Sequence, residues 1–417
     1  VNSSPGLDRR LGTFDASLIG LGSMIGAGVF AAFTPAAAAA GSGLLIGLVV
    51  AAFVAFCNAT SSAQLAARYP TSGGTYIYGR ERLGPWAGFL AGWGFIIGKT
   101  ASAAAMAMTF AAYAAPQGWE RPVAIAAVVL LTAVNYHGVT RTAGLTRVLV
   151  IAVLAALVIA VTAVWGGSGP DFGDFVGEGL LAEGWYGILQ SGGLLFFAFA
   201  GYARIATMGE EVREPQHTIP RAIGIALGTT IVIYAVIAVT LLAALGPDGV
   251  AATPTPLADA VSAGTLAWAA PVVRIGAAVA SLGALLALVA GLGRTSLAMA
   301  REHDLPNWLS AVHPIYKVPH RAEVTLAVVI CLIIAVADLR EAIGFSSFGV
   351  LLYYLVANIA AYTQPVEDRR YPKFLQVAGA VACVALVATL PPLSVVLGVL
   401  MFVVGIAYRS IRLRVGR

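Results

Sequence analysis

Charge is what this chain has least of. Asp, Glu, Lys and Arg make up 11% of its 417 residues, where a soluble domain carries about a quarter. Carboxylates avoid the middle of every apolar run. Asp15, Glu210, Glu211 and Glu323 all fall at run ends, which removes the buried acids an embedded hydrolase would need. All five histidines, His137, His217, His303, His313 and His320, sit in polar loops or at run ends. Neither a metal site nor a histidine proton relay is expected from them, and no cofactor is expected. The three cysteines, Cys57, Cys331 and Cys383, lie inside apolar stretches, so a disulfide framework or a cysteine metal site is not expected either. Val1 to Arg10 is polar and basic, without the short apolar core and cleavage site of a signal peptide, and none is read there.

What remains is apolar. The chain is 59% hydrophobic with a mean hydropathy of +0.86, which places it among integral membrane proteins. Charge-free stretches predict an all-α membrane protein of twelve transmembrane helices. They lie near 15–41, 43–67, 85–114, 121–137, 142–165, 185–209, 221–245, 269–299, 322–337, 342–363, 373–390 and 393–409. Each approaches the ~20 residues needed to cross a bilayer, the fourth, ninth and twelfth being short. Pro391-Pro392 separates the last two, since proline cannot continue a helical hydrogen-bond ladder.

Lysine and arginine set the orientation. With the N-terminus inside, the cytoplasmic loops gather Arg68, Arg80, Arg82, Arg141, Arg147, Arg213, Arg301 and most of the other basic residues. The outer loops keep only Arg121 and Arg340. The expectation is therefore a multi-pass protein of the cell membrane with both termini cytoplasmic, the lipid bilayer as its surroundings. The same bias accounts for the net charge of +5 without a nucleic-acid partner.

One span is unlike a helix. Residues 20–30 hold Gly20, Gly22, Gly26 and Gly28, and each glycine costs a helix about 1 kcal/mol against alanine. Unpaired amides are tolerated at membrane depth only where they line a cavity. A broken helix there implies a transporter that holds a small zwitterion or ion. A second interrupted span begins with Gly192-Gly193 and runs through Phe196-Phe197-Ala198-Phe199-Ala200-Gly201-Tyr202. Each interrupted span opens a set of five, so the halves 15–165 and 185–363 would enter the membrane from opposite sides as inverted repeats. Two broken helices at matching positions point to a binding site; close helix packing by small residues is the other reading. The segments 373–409, 1–14 and 410–417 complete the organisation as two C-terminal helices and two cytoplasmic tails.

Four motifs carry a resemblance. They are Gly22-Ser23-Met24-Ile25-Gly26-Ala27-Gly28-Val29-Phe30, Tyr69-Pro70-Thr71-Ser72-Gly73-Gly74-Thr75-Tyr76, the 196–202 run followed by Glu210-Glu211-Val212-Arg213-Glu214-Pro215, and Ala300-Arg301-Glu302-His303-Asp304-Leu305-Pro306. In this order they resemble the amino acid–polyamine–organocation superfamily, whose inverted-repeat fold is shared with sodium-coupled neurotransmitter symporters. The resemblance implies a five-plus-five inverted repeat with helices one and six discontinuous. It also implies an amino acid cradle in which the amides of Ala27 and Gly28, beyond the turn at Ile25 and Gly26, bind the carboxylate. The carbonyls of Met24, Phe197, Ala198 and Ala200 would bind the ammonium, matching the opposite ends of helix dipoles. Phe197 corresponds to the aromatic that closes over substrate from outside, and Tyr202 lies just past the break.

Two departures matter. Relatives that take cationic amino acids resemble Gly-Trp-x-Leu-x-Leu-Glu-Tyr in helix three; here the run is Gly92-Trp93-Gly94-Phe95-Ile96-Ile97-Gly98-Lys99. A resident lysine repels a cationic substrate by about 3 kcal/mol at ~6 Å and an effective dielectric constant of ~20. Some proton-coupled relatives also carry a lysine in helix five, where this chain has Val153. Lys99 either takes over proton coupling, as a lysine in low dielectric can, or bonds carbonyls freed at a break and holds helices together. Arg204 either pairs with Glu210 or Glu211 or meets substrate, and the Glu210-Glu211 pair is a candidate inner gate. The expected function is secondary transport of neutral L-amino acids with proton coupling or exchange. Sodium is the alternative ion, with Ser281 as a possible ligand. Acidic amino acids, another anionic substrate, or amino acid sensing without transport are the alternatives.

Overall fold

The computed structural model describes residues 11–70, 73–138, 143–167, 178–209 and 211–415. Among them all regular structure is helical, apart from one isolated parallel bridge between Leu11 and Val212. In chain order the helices are α1 (Thr13–Met24), α2 (Ala27–Ala31), α3 (Phe33–Ala40), α4 (Leu44–Arg68), α5 (Gly74–Leu83) and α6 (Pro85–Ala114). Then come α7 (Glu120–Tyr136), α8 (Ala143–Trp165), α9 (Gly184–Phe199), α10 (Ala203–Ala206), α11 (Pro215–Ala252) and α12 (Pro256–Ser262). The last are α13 (Ala270–Arg301), α14 (His320–Val336), α15 (Leu339–Tyr362), α16 (Lys373–Thr389) and α17 (Pro392–Val415).

Among the described residues, nine helical stretches are long and apolar enough to cross a membrane. Helices also occupy the three remaining expected positions, as α7, α14 and α16, each of 17 residues. At about 1.5 Å per residue each is ~26 Å long, a few ångströms under a ~30 Å hydrocarbon core. Local chemistry sets the ends. Gly41 at φ +53° turns the chain between α3 and α4, a backbone angle that side chains resist. Gly246 at φ +67° followed by Pro247 breaks α11 near its end. Asp338 and Glu341 form a reciprocal capping box at the start of α15.

The helices pack around three apolar clusters, one of them joining α5, α6, α13 and α14 through Tyr76, Phe89, Leu292 and Leu326. A second joins α6, α7, α13 and α14 through Ala104, Ala107, Val128, Leu285, Val289 and Ile330. The largest cluster draws core residues from α1, α2, α3, α4, α8, α9, α11, α12, α15 and α16 among others. Glycines let α6 and α15 touch: a Cβ on Gly98 would lie 2.9 Å from the Ser346 carbonyl oxygen. Small residues serve this purpose in membranes, where packing replaces hydrophobic driving force. A polar ladder ties α4 to α15 as well. Ser61 donates to Asn358 Oδ1 at 2.6 Å, Asn358 Nδ2 donates to Asn58 Oδ1 at 2.6 Å, and Gln64 donates to Gln364 at 2.6 Å. Asn58, Asn358 and Gln64 are fully buried. Asn358 and Gln64 are bonded through both ends of their amides, while Asn58 accepts through Oδ1 and its Nδ2 has no partner.

Candidate functional site

The first break lies where the glycines placed it. The backbone leaves helical geometry at Ile25 (φ −82°, ψ 41°) and Gly26 (φ −90°, ψ −134°) before α2 restarts at Ala27. The second break is milder. After Phe199 the chain tightens into a 3-10 turn over Ala200–Tyr202 and re-enters α10, with Phe199, Tyr202 and Ala203 at right-handed helical angles and Ala200 at φ −67°, ψ 4°.

These two segments meet. A Cβ on Gly28 would stand 2.6 Å from the Ala198 Cα, and one on Gly201 would overlap the Ser23 carbonyl and lie 2.6 Å from the Met24 nitrogen. The breaks therefore touch backbone to backbone, and only glycine permits that approach. Met24, Ile25, Gly26, Ala27 and Gly28 come together with Phe197, Ala198, Ala200 and Tyr202, all of them buried.

The freed carbonyls have internal partners. The Tyr234 hydroxyl on α11 lies 2.6 Å from the Met24 oxygen and 3.0 Å from the Ala198 oxygen, bridging both breaks. It has one proton, so it donates to one of them at a time. Lys99 Nζ donates to the Ala200 oxygen at 3.2 Å. The Phe197 oxygen accepts from the Ala200 amide. Tyr113 on α6 donates to the Phe30 oxygen at 3.1 Å, one turn past the first break. The sequence signal of Tyr234 is slight, a lone ring hydroxyl in the apolar run 221–245.

Lys99 is 8% exposed, halfway along α6. Among the described ion pairs none involves it, and Ala200 is its hydrogen-bond partner. Phe197 is buried in α9. The Tyr202 ring lies 5.1 Å from Tyr354 on α15, linking the second break to the polar ladder's helix.

At the basic end of the helices the charges pair. Arg204 lies 3.5 Å from Glu211, and Asp15 at the start of α1 lies 2.5 Å from Arg147 on α8. The Leu11 amide donates to the Glu211 carbonyl at 3.2 Å, and the Arg213 amide donates to the Leu11 carbonyl at 2.9 Å. Glu210 lies outside the described residues. A separate ion cluster surrounds Asp304, which is 4% exposed and is bonded by Arg80 at 3.0 Å and by Arg409. Tyr76 donates to the same carboxylate at 2.8 Å. Burial, and then the bond to Asp304, push the Tyr76 phenol well above its ordinary range, so it stays a donor. The Arg409 guanidinium lies 5.0 Å from the Trp86 ring and 4.8 Å from Phe89.

No group of three or more His, Cys, Asp or Glu among the described residues could hold a metal ion. A cavity of about 10 Å³, room for about one water, lies beside the first break, lined by Gly22, Ile25, Leu149, Val150, Val153 and Ala280. The neighbouring Ser281 hydroxyl is buried without a hydrogen-bond partner.

A family model described as amino acid permease matches residues 11–411. An uncharacterized transporter of Mycobacterium tuberculosis is 55% identical over 406 residues, covering 97% of this chain and 92% of its own length. A branched-chain amino acid permease of Bacillus subtilis is 25% identical over 398 residues, covering 89% of this chain and 84% of its own. A methylthioribose transporter of the same organism is 28% identical over 388 residues, covering 86% and 82%.

Proposed function

The chain belongs to the amino acid permease family, and on that premise we propose that it carries small neutral L-amino acids across the cell membrane by alternating access. It is a transporter and not an enzyme. In this reading all twelve helices cross, with α7, α14 and α16 met by local thinning of the bilayer. Both termini face the cytoplasm, and 15–165 and 185–363 form the inverted repeat.

The observation that carries the reading is the meeting of two helix breaks at Gly28–Ala198 and Gly201–Ser23. Such breaks gather backbone donors and acceptors where lipid would forbid them. The amides of Ala27 and Gly28 take the substrate carboxylate, and the carbonyls of Met24, Phe197, Ala198 and Ala200 face its ammonium. Tyr234 holds Met24 and Ala198 in the meantime, so a substrate ammonium replaces its hydroxyl. Phe197 closes the outer side. Release to the cytoplasm requires α1 to leave α8 and the 211–213 segment, which breaks Asp15–Arg147 and the Leu11 bridge, with Arg204–Glu211 as the inner gate.

The relative named for branched-chain amino acids supports neutral substrates. The second reading, another organic or acidic substrate, is supported by the Lys99 ammonium at the break and by the relative named for methylthioribose. Proton coupling is assigned to Lys99. Sodium, held by carbonyls with Ser281, is the competing ion.

Purified protein in liposomes tests this directly. Saturable uptake of labelled L-leucine or L-alanine that unlabelled L-lysine does not compete is the expected result. Binding without uptake would make the protein a sensor. No response across the twenty amino acids, with methylthioribose active, would replace the first reading by the second.

A further inference from the structure

The Ala200 carbonyl ends α9, where the helix dipole is negative and a cation is favoured. It is already bonded by a cation that belongs to the protein, the Lys99 ammonium at 3.2 Å. We infer that Lys99 is a tethered rival of the substrate's ammonium for this carbonyl, so that an amino acid binds when Lys99 gives up its proton, and proton and amino acid travel in opposite directions. The inference rests on the amino acid transport reading and adds the sign of its coupling.

The surroundings of Lys99 make the exchange specific. Its ammonium has three donors, one of them used. The phenols of Tyr202, Tyr353 and Tyr354 lie on the second break, which carries the Lys99 partner Ala200, and on α15, which packs against α6. The charged groups on elements packed against α6 are engaged or placed at helix ends. Arg80 and Arg409 are on Asp304, Arg204 is on Glu211, and Arg274 donates to the carbonyls of Tyr113 and Ala112. Glu120 and Arg121 begin α7, Arg321 and Glu323 begin α14, and Arg340 and Glu341 begin α15. Arg294 and Arg301 fall in the last turns of α13, and Glu81 and Arg82 at the end of α5. Among the described residues no carboxylate is paired with Lys99, and the buried Glu323 at the start of α14 lies against Gly293. A charged Lys99 displaced from Ala200 thus has no counter-ion in place, and isolated charge in this environment is costly.

The step balances simply. The substrate's ammonium forms an N–H···O bond to the Ala200 oxygen as the Lys99 bond breaks. The Lys99 proton passes to water on the side the site then faces, and Lys99 takes up a proton again when the substrate has left. Ligands that exclude each other at one alternating site exchange across the membrane, and linkage makes the exclusion reciprocal. An inside-acid gradient therefore accelerates amino acid uptake, the reverse of symport.

Calorimetric titration of the detergent-purified transporter with L-leucine and L-alanine, in two buffers of different ionisation enthalpy, counts the protons. About one proton released per amino acid is expected, with affinity strengthening by about tenfold per pH unit while Lys99 is charged. Lys99→Met should bind with no proton release and a flat pH profile. Lys99→Arg, charged at every accessible pH, should weaken binding at least about tenfold throughout. Binding with no proton change, proton uptake, or a Lys99→Met protein that still releases a proton overturns the inference and leaves amino acid transport standing. If none of the twenty amino acids binds, both fall. Should Lys99→Met not fold, the wild-type proton count decides alone.

Discussion

At the first break the backbone swings out of helical geometry at Gly26, with ψ at −134°; at the second it only tightens, with Ala200 at φ −67° and ψ 4°. The sequences explain the contrast. Four glycines crowd residues 20–30, while the second run has Gly201 among Phe, Ala and Tyr. An opened break frees amides as well as carbonyls, whereas a 3-10 turn keeps its amides bonded three residues back. The first break can therefore serve an anion and a cation, and the second offers carbonyls alone. The polar side chains follow this division: Tyr234 bridges both breaks, and Lys99 attends the second.

Substitutions at the junction test that contrast, and Gly201→Ala should do the most damage. Its Cβ meets the backbone of Ser23 and Met24, which cannot rotate away. We expect a loss of about 3 kcal/mol or more, read as loss of a monodisperse species in detergent. Gly28→Ala meets the Ala198 Cα at 2.6 Å across a junction that the open turn at Gly26 can adjust. It should cost about 1–3 kcal/mol by thermal unfolding and slow uptake. Equal losses for the two glycines would mean that both breaks are equally stiff. Tyr234→Phe leaves the buried Met24 or Ala198 carbonyl without its donor and should cost about 1–3 kcal/mol. If it is neutral, the bridge plays no part in joining the breaks. Gly224→Ala on α11, where nothing lies within 4 Å of the new Cβ, should be neutral or stabilise by up to about 1 kcal/mol. A loss there would show that glycines throughout the helices are needed for flexibility rather than for contact.

Much of this was legible in the sequence because membrane spans are written in runs of composition. Gly26 and Gly201 marked the breaks, and the seventh run, expected to end at 245, has its kink at Gly246. Lys99 stood out because a charge inside a span is rare. What composition does not mark is neutral and polar. Tyr234, Asn58, Asn358 and Gln64 carry no charge, and their partners lie in other spans, up to 300 residues away for Gln64 and Gln364. Pairing over that distance is settled by tertiary packing, which composition does not encode. The mildness of the second break was hidden for a related reason. A single glycine is compatible with an open turn or a tight one, and the approach of Ser23 decides between them.

The cluster around Asp304 also bears on the order in which the protein is made. Arg409 reaches that buried carboxylate from α17, 105 residues further along the chain. Until α17 has left the ribosome and inserted, Asp304 has Arg80 and Tyr76 but lacks the cation held between Trp86 and Phe89. Completion of this end thus waits on the late helix, and a chain cut short before residue 409 leaves the Asp304 carboxylate with Arg80 alone of the two cations that bond it.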